Sequence, residues 1–382
     1  MENYRILFII SSLQGGGAEN HLLNLCRHLK ASAYSCAVCT LSVVEDGLER
    51  NLIEEGISLF RIPLFSLGDL IRPKSVVALR RIMHRFRPDI IHSHLFHAEI
   101  VAACASILSG VPAISTRHSS GLEFAWWRVT LIRCLRSRFK RIITVSRDAA
   151  REARRQGFPD GTVIVLPNAV DTRRFKPLEP GERSAARRSL FERYFPGTDH
   201  ESCLLVGAVG GLKAVKNYPL FIRMAARLSE SMSGDGSDVR YMIIGEGDER
   251  ETLTALARTC GIGRILAMPG FLEEPERLYP LFDCYILPSL TEGVPLALLE
   301  AMASGVACIA SDVGDVGVIL ADAGELVEPG DEDSFLRAAS TLLTESDRRS
   351  ELGRKARVRV LENFDTDIWG DKIVSIYNDL LG

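Results

Sequence analysis

The chain has 382 residues, of which 46% are hydrophobic and 25% charged, and a formal net charge of −3. These are the values of an ordinary soluble globular protein with enough length for two domains and two buried cores. No apolar run approaches the roughly 18 residues of a membrane span. Met1–Ser12 lacks a basic start and a cleavage site, so it reads as a first strand and not as a secretion signal. The net charge hides an asymmetry. Residues 1–175 carry 24 Lys+Arg against 15 Asp+Glu, and residues 176–382 carry 22 against 34. A basic first half points to an anionic partner. The nine cysteines are scattered. Cys36 and Cys39, three apart on a strand, point to opposite faces, so reduced core thiols of a cytoplasmic protein are expected.

Strands are predicted at Tyr4–Ile10, Ser35–Leu41, Ile57–Ile62, Ile90–His92, Pro112–Thr116, Arg141–Val145 and Val163–Leu166. Helical periodicity lies between them near 17–30, 47–55, 74–86, 96–109, 125–138 and 147–156. Such alternation predicts a doubly wound parallel sheet with helices on both faces. Residues 172–201, rich in Arg, Pro and Gly, read as a linker with a short helix. A second alternation follows, with strands near 203–209, 239–244, 264–268, 284–287, 306–310 and 325–328. Its helices are predicted near 217–231, 248–260, 275–282, 295–304 and 332–344, and the tail as two helices broken at Asn363-Phe364. The predicted organisation is an N-terminal domain 1–171, a linker 172–201, a C-terminal domain 202–362 and a final helix in 363–382.

The densest chemistry lies in 288–305. An apolar strand ends at Pro288, a loop carries Glu292, a helix starts near Pro295 and contains Glu300, and Gly305 stops it. A rise of 1.5 Å per residue separates the two carboxylates by about 8–12 Å along the axis. That is too far to share a proton or to flank one glycosidic bond. It suits two carboxylates gripping two hydroxyl-bearing parts of one extended ligand, with the N–H groups of Val294, Leu296 and Ala297 facing an anion between them.

Three glycine turns add to this. Gly15-Gly16-Gly17-Ala18-Glu19 follows the first strand and opens a helix, where glycine lets a ligand approach the backbone. It does not complete the G-x-G-x-x-G pattern, because position 20 is Asn20. Gly210-Gly211-Leu212-Lys213-Ala214-Val215-Lys216-Asn217 puts two lysines near a helix start, a reasonable place for phosphate. Gly245-Glu246-Gly247 again follows a strand. Four of the eight histidines are His92, His94, His97 and His118. A metal site at His92-Ser93-His94 is the minor reading, and no metal is expected. His118 follows a strand at its C-terminal end, where open α/β sheets bind ligands. Trp126 and Trp127 precede Arg128, Arg133, Arg136, Arg138, Lys140 and Arg141, a pattern that suits a membrane surface as well as a solvated helix.

The segment E-G-V-P-L-A-L-L-E-A-M-A-S-G, preceded by P-S-x-x, resembles the E-x7-E segment of retaining glycosyltransferases of family four. The resemblance spans nearly the whole chain. It implies the GT-B fold: two Rossmann-like doubly wound parallel-sheet domains with the active site in an interdomain cleft. It further implies a transferase moving a sugar from a nucleotide-diphosphate sugar, UDP-linked first and GDP-linked next, to a lipid-linked or polysaccharide acceptor. Glu292, Gly293, Val294, Pro295 and Leu296 fall where the family holds the donor sugar, and Glu300 where it holds the ribose. Lys216 falls on the phosphate-binding Lys, Gly16 and Gly17 on the loop near the diphosphate, and Gly245 on a turn beside the nucleotide. Phe271 to Glu274 fall beside the base. His118 matches a histidine that contacts the donor sugar and the reaction centre, so His118 and Glu292 are the implied catalytic pair. Two departures stand out. Ala169 replaces Gly in the P-N-G-V-D turn, and Gly211 replaces an Arg that supplies one of two cations to the diphosphate. Lys213, two residues on, is the candidate replacement. Other classes stay open: a GT-B sugar-nucleotide epimerase, or a catalytically weak binding subunit. The expected partners are the donor, the glycan or lipid-linked acceptor and a peripheral membrane contact through the basic half at the inner face of the cytoplasmic membrane, with no nucleic acid and no cofactor.

Overall fold

The computed structural model describes residues 4–14, 17–32, 34–42, 47–64, 67–118, 126–232, 238–272 and 274–382. The chain divides into two compact units, one made of Met1–Asn168 with Thr366–Gly382, the other of Ala169–Asp365.

The first unit is built on β1 (Arg5–Ile10), β2 (Ser35–Thr40), β3 (Ser58–Arg61), β4 (Ile90–His94), β5 (Ala113–Arg117), β6 (Phe139–Thr144) and β7 (Val163–Val165). All pair in parallel in the order β3-β2-β1-β4-β5-β6-β7. Strands covered on both faces must be apolar throughout. β1 has the sequence RILFII, of which only the first residue is not buried. Helices α1 (Gly17–Ala31), α2 (Gly47–Glu54), α3 (Pro73–Phe86), α4 (Phe96–Ser109), α5 (Trp126–Leu135) and α6 (Arg147–Arg155) connect them. The order reverses between β1 and β4. Ligands bind open α/β sheets at the C-terminal ends of the strands flanking such a switch.

The second unit opens with α7 (Pro180–Tyr194) and repeats the plan with β8 (Leu204–Val209), α8 (Tyr218–Met232), β9 (Val239–Ile244), α9 (Arg250–Thr259), β10 (Leu266–Gly270) and β11 (Cys284–Leu287). It continues through α10 (Leu296–Ala303), β12 (Ala307–Ser311), α11 (Val316–Leu320), β13 (Glu325–Val327), α12 (Glu332–Thr344) and α13 (Ser346–Asn363). Its sheet runs β10-β9-β8-β11-β12-β13, so its switch lies between β8 and β11. The last helix, α14 (Thr366–Leu381), belongs to the first unit and packs on α1. Two Rossmann-like parallel-sheet domains are therefore present, as the sequence pattern predicts.

Several elements differ from their sequence prediction. The helix expected over 275–282 is a pair of short 3-10 turns, Pro275–Arg277 and Tyr279–Leu281. Pro280 carries no N–H and would clash within a continuing helix. The helix in the linker is not short. α7 runs 15 residues and places Leu190 and Phe191 in the core of the second unit. The helix expected to reach 138 ends at Leu135 and tightens into a 3-10 turn, Arg136–Arg138. β10 starts two residues later than predicted and runs through Pro269 with a register shift. It can hold a proline because it is an edge strand.

Candidate active-site residues

In the second unit, the turn after β8 and the turn after β11 meet at the topological switch. The backbone N–H of Leu290 donates to the Val215 carbonyl at 2.8 Å and pins one turn to the other. Lys216 ends a 3-10 turn, Ala214–Lys216, and Asn217 reverses the chain in a left-handed conformation at φ 50°. The Lys216 Nζ lies 2.6 Å from Glu292 Oε1, and the Ser289 hydroxyl donates to the same oxygen at 2.7 Å. The Glu292 carboxylate is thus aimed by a strand-end serine and a lysine from the neighbouring strand's turn. From the other side, the loop after β12 closes on it. Gly314 has φ +58°, and a Cβ there would sit 2.1 Å from the Glu292 carbonyl oxygen. Only glycine lets the two backbones approach so closely.

Pro295 caps α10 instead of lying in its first turn, with ψ 113°, and the helix begins at Leu296. No side chain caps it. The N–H groups of Leu296 and Ala297 therefore stand outside the intrahelical ladder. The Val294 side chain is 7% exposed and packs in the core beside Leu298 and Leu299. Gly293 accepts from the Asp315 N–H at 3.3 Å. Glu300 accepts from the Tyr279 hydroxyl at 2.7 Å. Burial raises the Glu300 pKa, the Tyr279 bond opposes that rise, and the Arg174 guanidinium opposes it further.

Gly245 has a packing role that the sequence does not announce. Its φ is +143°, and a Cβ would lie 2.0 Å from the Gly210 carbonyl oxygen. The turn after β9 is thereby locked onto the turn after β8. Lys213 is exposed, and its side chain runs beside Gly211: a Cβ at 211 would meet Lys213 Cε at 3.8 Å and Cγ at 3.9 Å. The lysine stem thus lies in van der Waals contact with the position that a Cβ at 211 would take. Tyr218, singled out by nothing in the sequence, is 2% exposed, and its hydroxyl has no hydrogen-bond partner among the described residues. Burial raises its pKa first, and the Glu292 charge adds to that.

In the first unit, Gly15 and Gly16 lie outside the described residues, and the Gly17 backbone starts α1. His118 follows β5 and joins three other buried or half-buried histidines. Its Nε2 lies 2.9 Å from His94 Nδ1. The His92 ring is bonded at both nitrogens, to the Tyr377 hydroxyl at 2.6 Å and the Thr116 hydroxyl at 2.7 Å. It is a structural histidine. His21 contacts Asn168 at 3.3 Å and packs edge-on against Trp369 of α14 at 3.9 Å. Burial brings the His21 pKa down to about 4. It also holds His92, His94 and His118 well below the usual range, and the neighbouring imidazoles push the same way. All four are neutral at pH 7. Leu95, directly after His94, adopts φ 73°. For a non-glycine residue this costs about 1–3 kcal/mol, the kind of strain that collects at functional sites.

Tautomers follow from these contacts. A bond between two neutral imidazoles needs one N–H and one lone pair. His94 Nε2 is buried with no partner among the described residues. Burying an unpaired N–H is worse than burying an unpaired lone pair. The proton therefore belongs on His94 Nδ1, which donates to His118 Nε2 and leaves His118 with its own N–H on Nδ1. His97 is exposed and stands apart. Among the described residues, no group of three or more His, Cys, Asp or Glu side chains is placed to hold a metal ion.

Residues 15–174 match the family model Glycosyltransferase Family 4, and residues 196–359 match Glycosyl transferases group 1. The chain is 25% identical over 356 residues to UDP-Gal:alpha-D-GlcNAc-diphosphoundecaprenol alpha-1,3-galactosyltransferase of Escherichia coli, covering 88% of each protein. It is 28% identical over 325 residues to the putative glycosyltransferase EpsF of Bacillus subtilis, covering 81% of this chain and 79% of that one. Among solved structures, HepE of Anabaena in complex with UDP and glucose superposes with a TM-score of 0.82 at 18% identity, covering 99% of this chain and all of the other. Sucrose-phosphate synthase of Thermosynechococcus elongatus superposes with a TM-score of 0.78 at 18% identity, covering 99% of each.

Proposed function

Since this chain belongs to the family-four glycosyltransferases, we propose that it transfers a sugar from a UDP-sugar, with retention of configuration, to a hydroxyl of a lipid-linked or polysaccharide acceptor. The observation that carries the reading is the second unit's switch point, where Ser289 and Lys216 converge on Glu292. Glu292 takes the donor-sugar hydroxyls, with Gly293, Pro295 and Leu296 shaping the turn beneath them. Lys216 and Lys213 take the diphosphate. Glu300, held by Tyr279, takes the ribose hydroxyls. His118 presents its Nδ1–H to the reacting sugar.

In the reaction, the bond from the anomeric carbon to the diphosphate oxygen breaks and the bond to the acceptor oxygen forms on the same face. The acceptor proton passes to the departing phosphate. The protein's part is positioning and stabilisation of the leaving charge. The choice of a UDP-sugar is supported by HepE, solved with UDP and glucose. A polyprenyl-diphosphate-linked acceptor is supported by the E. coli relative, whose name specifies one. Such an acceptor places the enzyme at the inner face of a cytoplasmic membrane, and among the described residues no helix is long and apolar enough to cross one.

Thermal stabilisation by UDP-, GDP-, ADP- and TDP-sugars tests the donor, because a ligand bound only by the folded state raises the melting temperature. A shift with UDP-sugars alone, lost in Glu300→Ala, is the expected result. A shift with another nucleotide class, or one that survives Glu300→Ala, overturns the assignment.

A further inference from the structure

A basic groove lies at the opposite end of the first unit's sheet from His94 and His118. Arg5 opens β1, Asp89 precedes β4 and Val111 precedes β5, so a groove they line sits at the N-terminal edge of the parallel strands. Its cavity measures about 470 Å³ and is walled by Arg80, His84, Arg87 and Leu108. A second cavity of about 570 Å³ continues along α3, between Val77, Arg81 and Arg85.

α3 is amphipathic in an unusual way. Leu79, Ile82 and Met83 are buried, and Lys74, Val77, Arg80, Arg81, His84 and Arg85 are exposed. Residues 72–87 contain six Lys+Arg and no Asp or Glu. Among the described residues, Arg80, Arg81 and Arg87 make no ion pair, and Arg85 lies only over the Phe60 ring, at 6.0 Å. The one carboxylate in the groove, Asp89, already accepts from the Arg5 N–H at 2.8 Å. Beside these cations stand exposed aliphatic side chains: Val77 at 44%, and Leu108 at the end of α4 at 37%.

The α5 region, which the sequence also offers as a basic face, differs. Arg128 is stacked on Phe96 and Trp127 at 5.1 and 5.2 Å, Arg133 donates to the Arg155 carbonyl and Arg136 to the Arg133 carbonyl. Arg128, Arg133 and Arg136 are engaged there, whereas among the described residues Arg80 and Arg81 of α3 are not.

We propose that the exposed face of α3, with the end of α4, docks on a lipid bilayer bearing acidic headgroups. The cations spread from Lys74 to Arg85, about 16 Å along the helix axis, which exceeds the reach of a single phosphate. The apolar groups between them are aliphatic and suit the acyl boundary, not the stacking of bases. Unpaired cations beside aliphatic side chains on one helix face are the two signals that together hold a protein at an anionic membrane.

The test is co-sedimentation of the full chain with vesicles of phosphatidylcholine, with and without phosphatidylglycerol. Binding is expected only to the acidic vesicles and should weaken as salt is raised. Each basic residue near such a surface contributes about five-fold, so Arg80→Gln/Arg81→Gln/Arg85→Gln together should weaken binding on the order of a hundred-fold. Val77→Ser/Leu108→Ser should weaken it further, and Trp127→Ser should not. The substituted side chains of α3 and α4 are exposed and make no hydrogen bond or ion pair among the described residues, so an unchanged melting curve accompanies the loss. Wild-type binding by the triple variant overturns the proposal. So does full competition by inorganic phosphate, or an oligonucleotide bound more tightly than the vesicles. No sugar donor enters the assay, so failure of the transfer reading would leave this result standing.

Discussion

The Lys216 ammonium and the Glu292 carboxylate lie 2.6 Å apart, so each of the two residues proposed to grip the donor neutralises the other before any donor arrives. The pair holds both side chains in place, and a phosphate and a sugar hydroxyl are the groups able to replace each partner. Removing the lysine should therefore act on more than phosphate affinity. Lys216→Ala leaves Glu292 aimed only by Ser289, and turnover is expected to fall by about 10²–10³-fold, the scale for losing one charge-stabilising group. Steady-state kinetics checks it; a drop under ten-fold would remove Lys216 from the site.

Lys213 provides the companion test. Its stem lies beside the Cβ position of Gly211, where the family resemblance implies an arginine. Lys213→Ala should cost far more activity than Lys372→Ala, a change at an exposed position on α14. Gly211→Arg in the Lys213→Ala background should restore part of the loss. Equal rates for the two alanine variants would refute the replacement.

Tyr279 should tune the pH range of donor binding. Its hydroxyl holds the Glu300 pKa down against burial. Tyr279→Phe releases that restraint, so Glu300 becomes protonated at higher pH and can no longer accept two ribose hydroxyls. UDP affinity measured by calorimetry should fall more steeply on acidification in the variant than in the parent. A hydrogen bond to a charged group is worth about 1.5–3 kcal/mol, so the expected loss is about ten- to a hundred-fold at the acid end. Parallel profiles would contradict the role of Glu300.

The histidine cluster sets a different pH dependence. His21 is lowered to about 4, and His92, His94 and His118 are held well below an unfolded value of about 6.5. The unfolded chain therefore binds more protons than the native one as pH falls from about 6.5 toward 4, and stability must drop through that window. Urea midpoints at pH 7 and pH 5 measure it. Replacing His21 by Gln should flatten the slope, and a slope unaltered by that change would locate the acid sensitivity elsewhere.

His94 acts on His118 through one hydrogen bond. His94→Asn keeps a donor near His118 Nε2, whereas His94→Phe removes it. Turnover should fall in the phenylalanine variant through kcat and recover in the asparagine variant, with KM for the donor little changed. Equal loss in both would make His94 merely a packing residue.

Much of this architecture is legible in the sequence because parallel strands covered on both faces must be apolar along their length. β1, β8 and β11 announce themselves that way. The elements that escaped have local reasons. Pro280 broke the stretch 275–282, and the arginines of α7 masked the inward Leu190 and Phe191. At the site, Glu292, Glu300 and Lys216 are legible through the family resemblance of their segments, but their partners are not. Ser289 lies three residues from Glu292 and Tyr279 lies 21 from Glu300, and neither distance says that the side chains meet. Nor does the sequence show that the space beside Gly245 is filled by the Gly210 carbonyl. His94 is half of an H-x-H pair in sequence and the partner of His118 in space.

The final helix has a consequence for how the protein is made. Residues 366–382 belong to the unit that begins the chain, and Tyr377 supplies one of the two bonds that hold His92. They leave the ribosome only after the whole second unit. Until then the nascent first unit has its sheet but not the helix that covers His21 and His92, and those imidazoles stay open to water. Synthesis order thus delays closure of one half until the other half already exists.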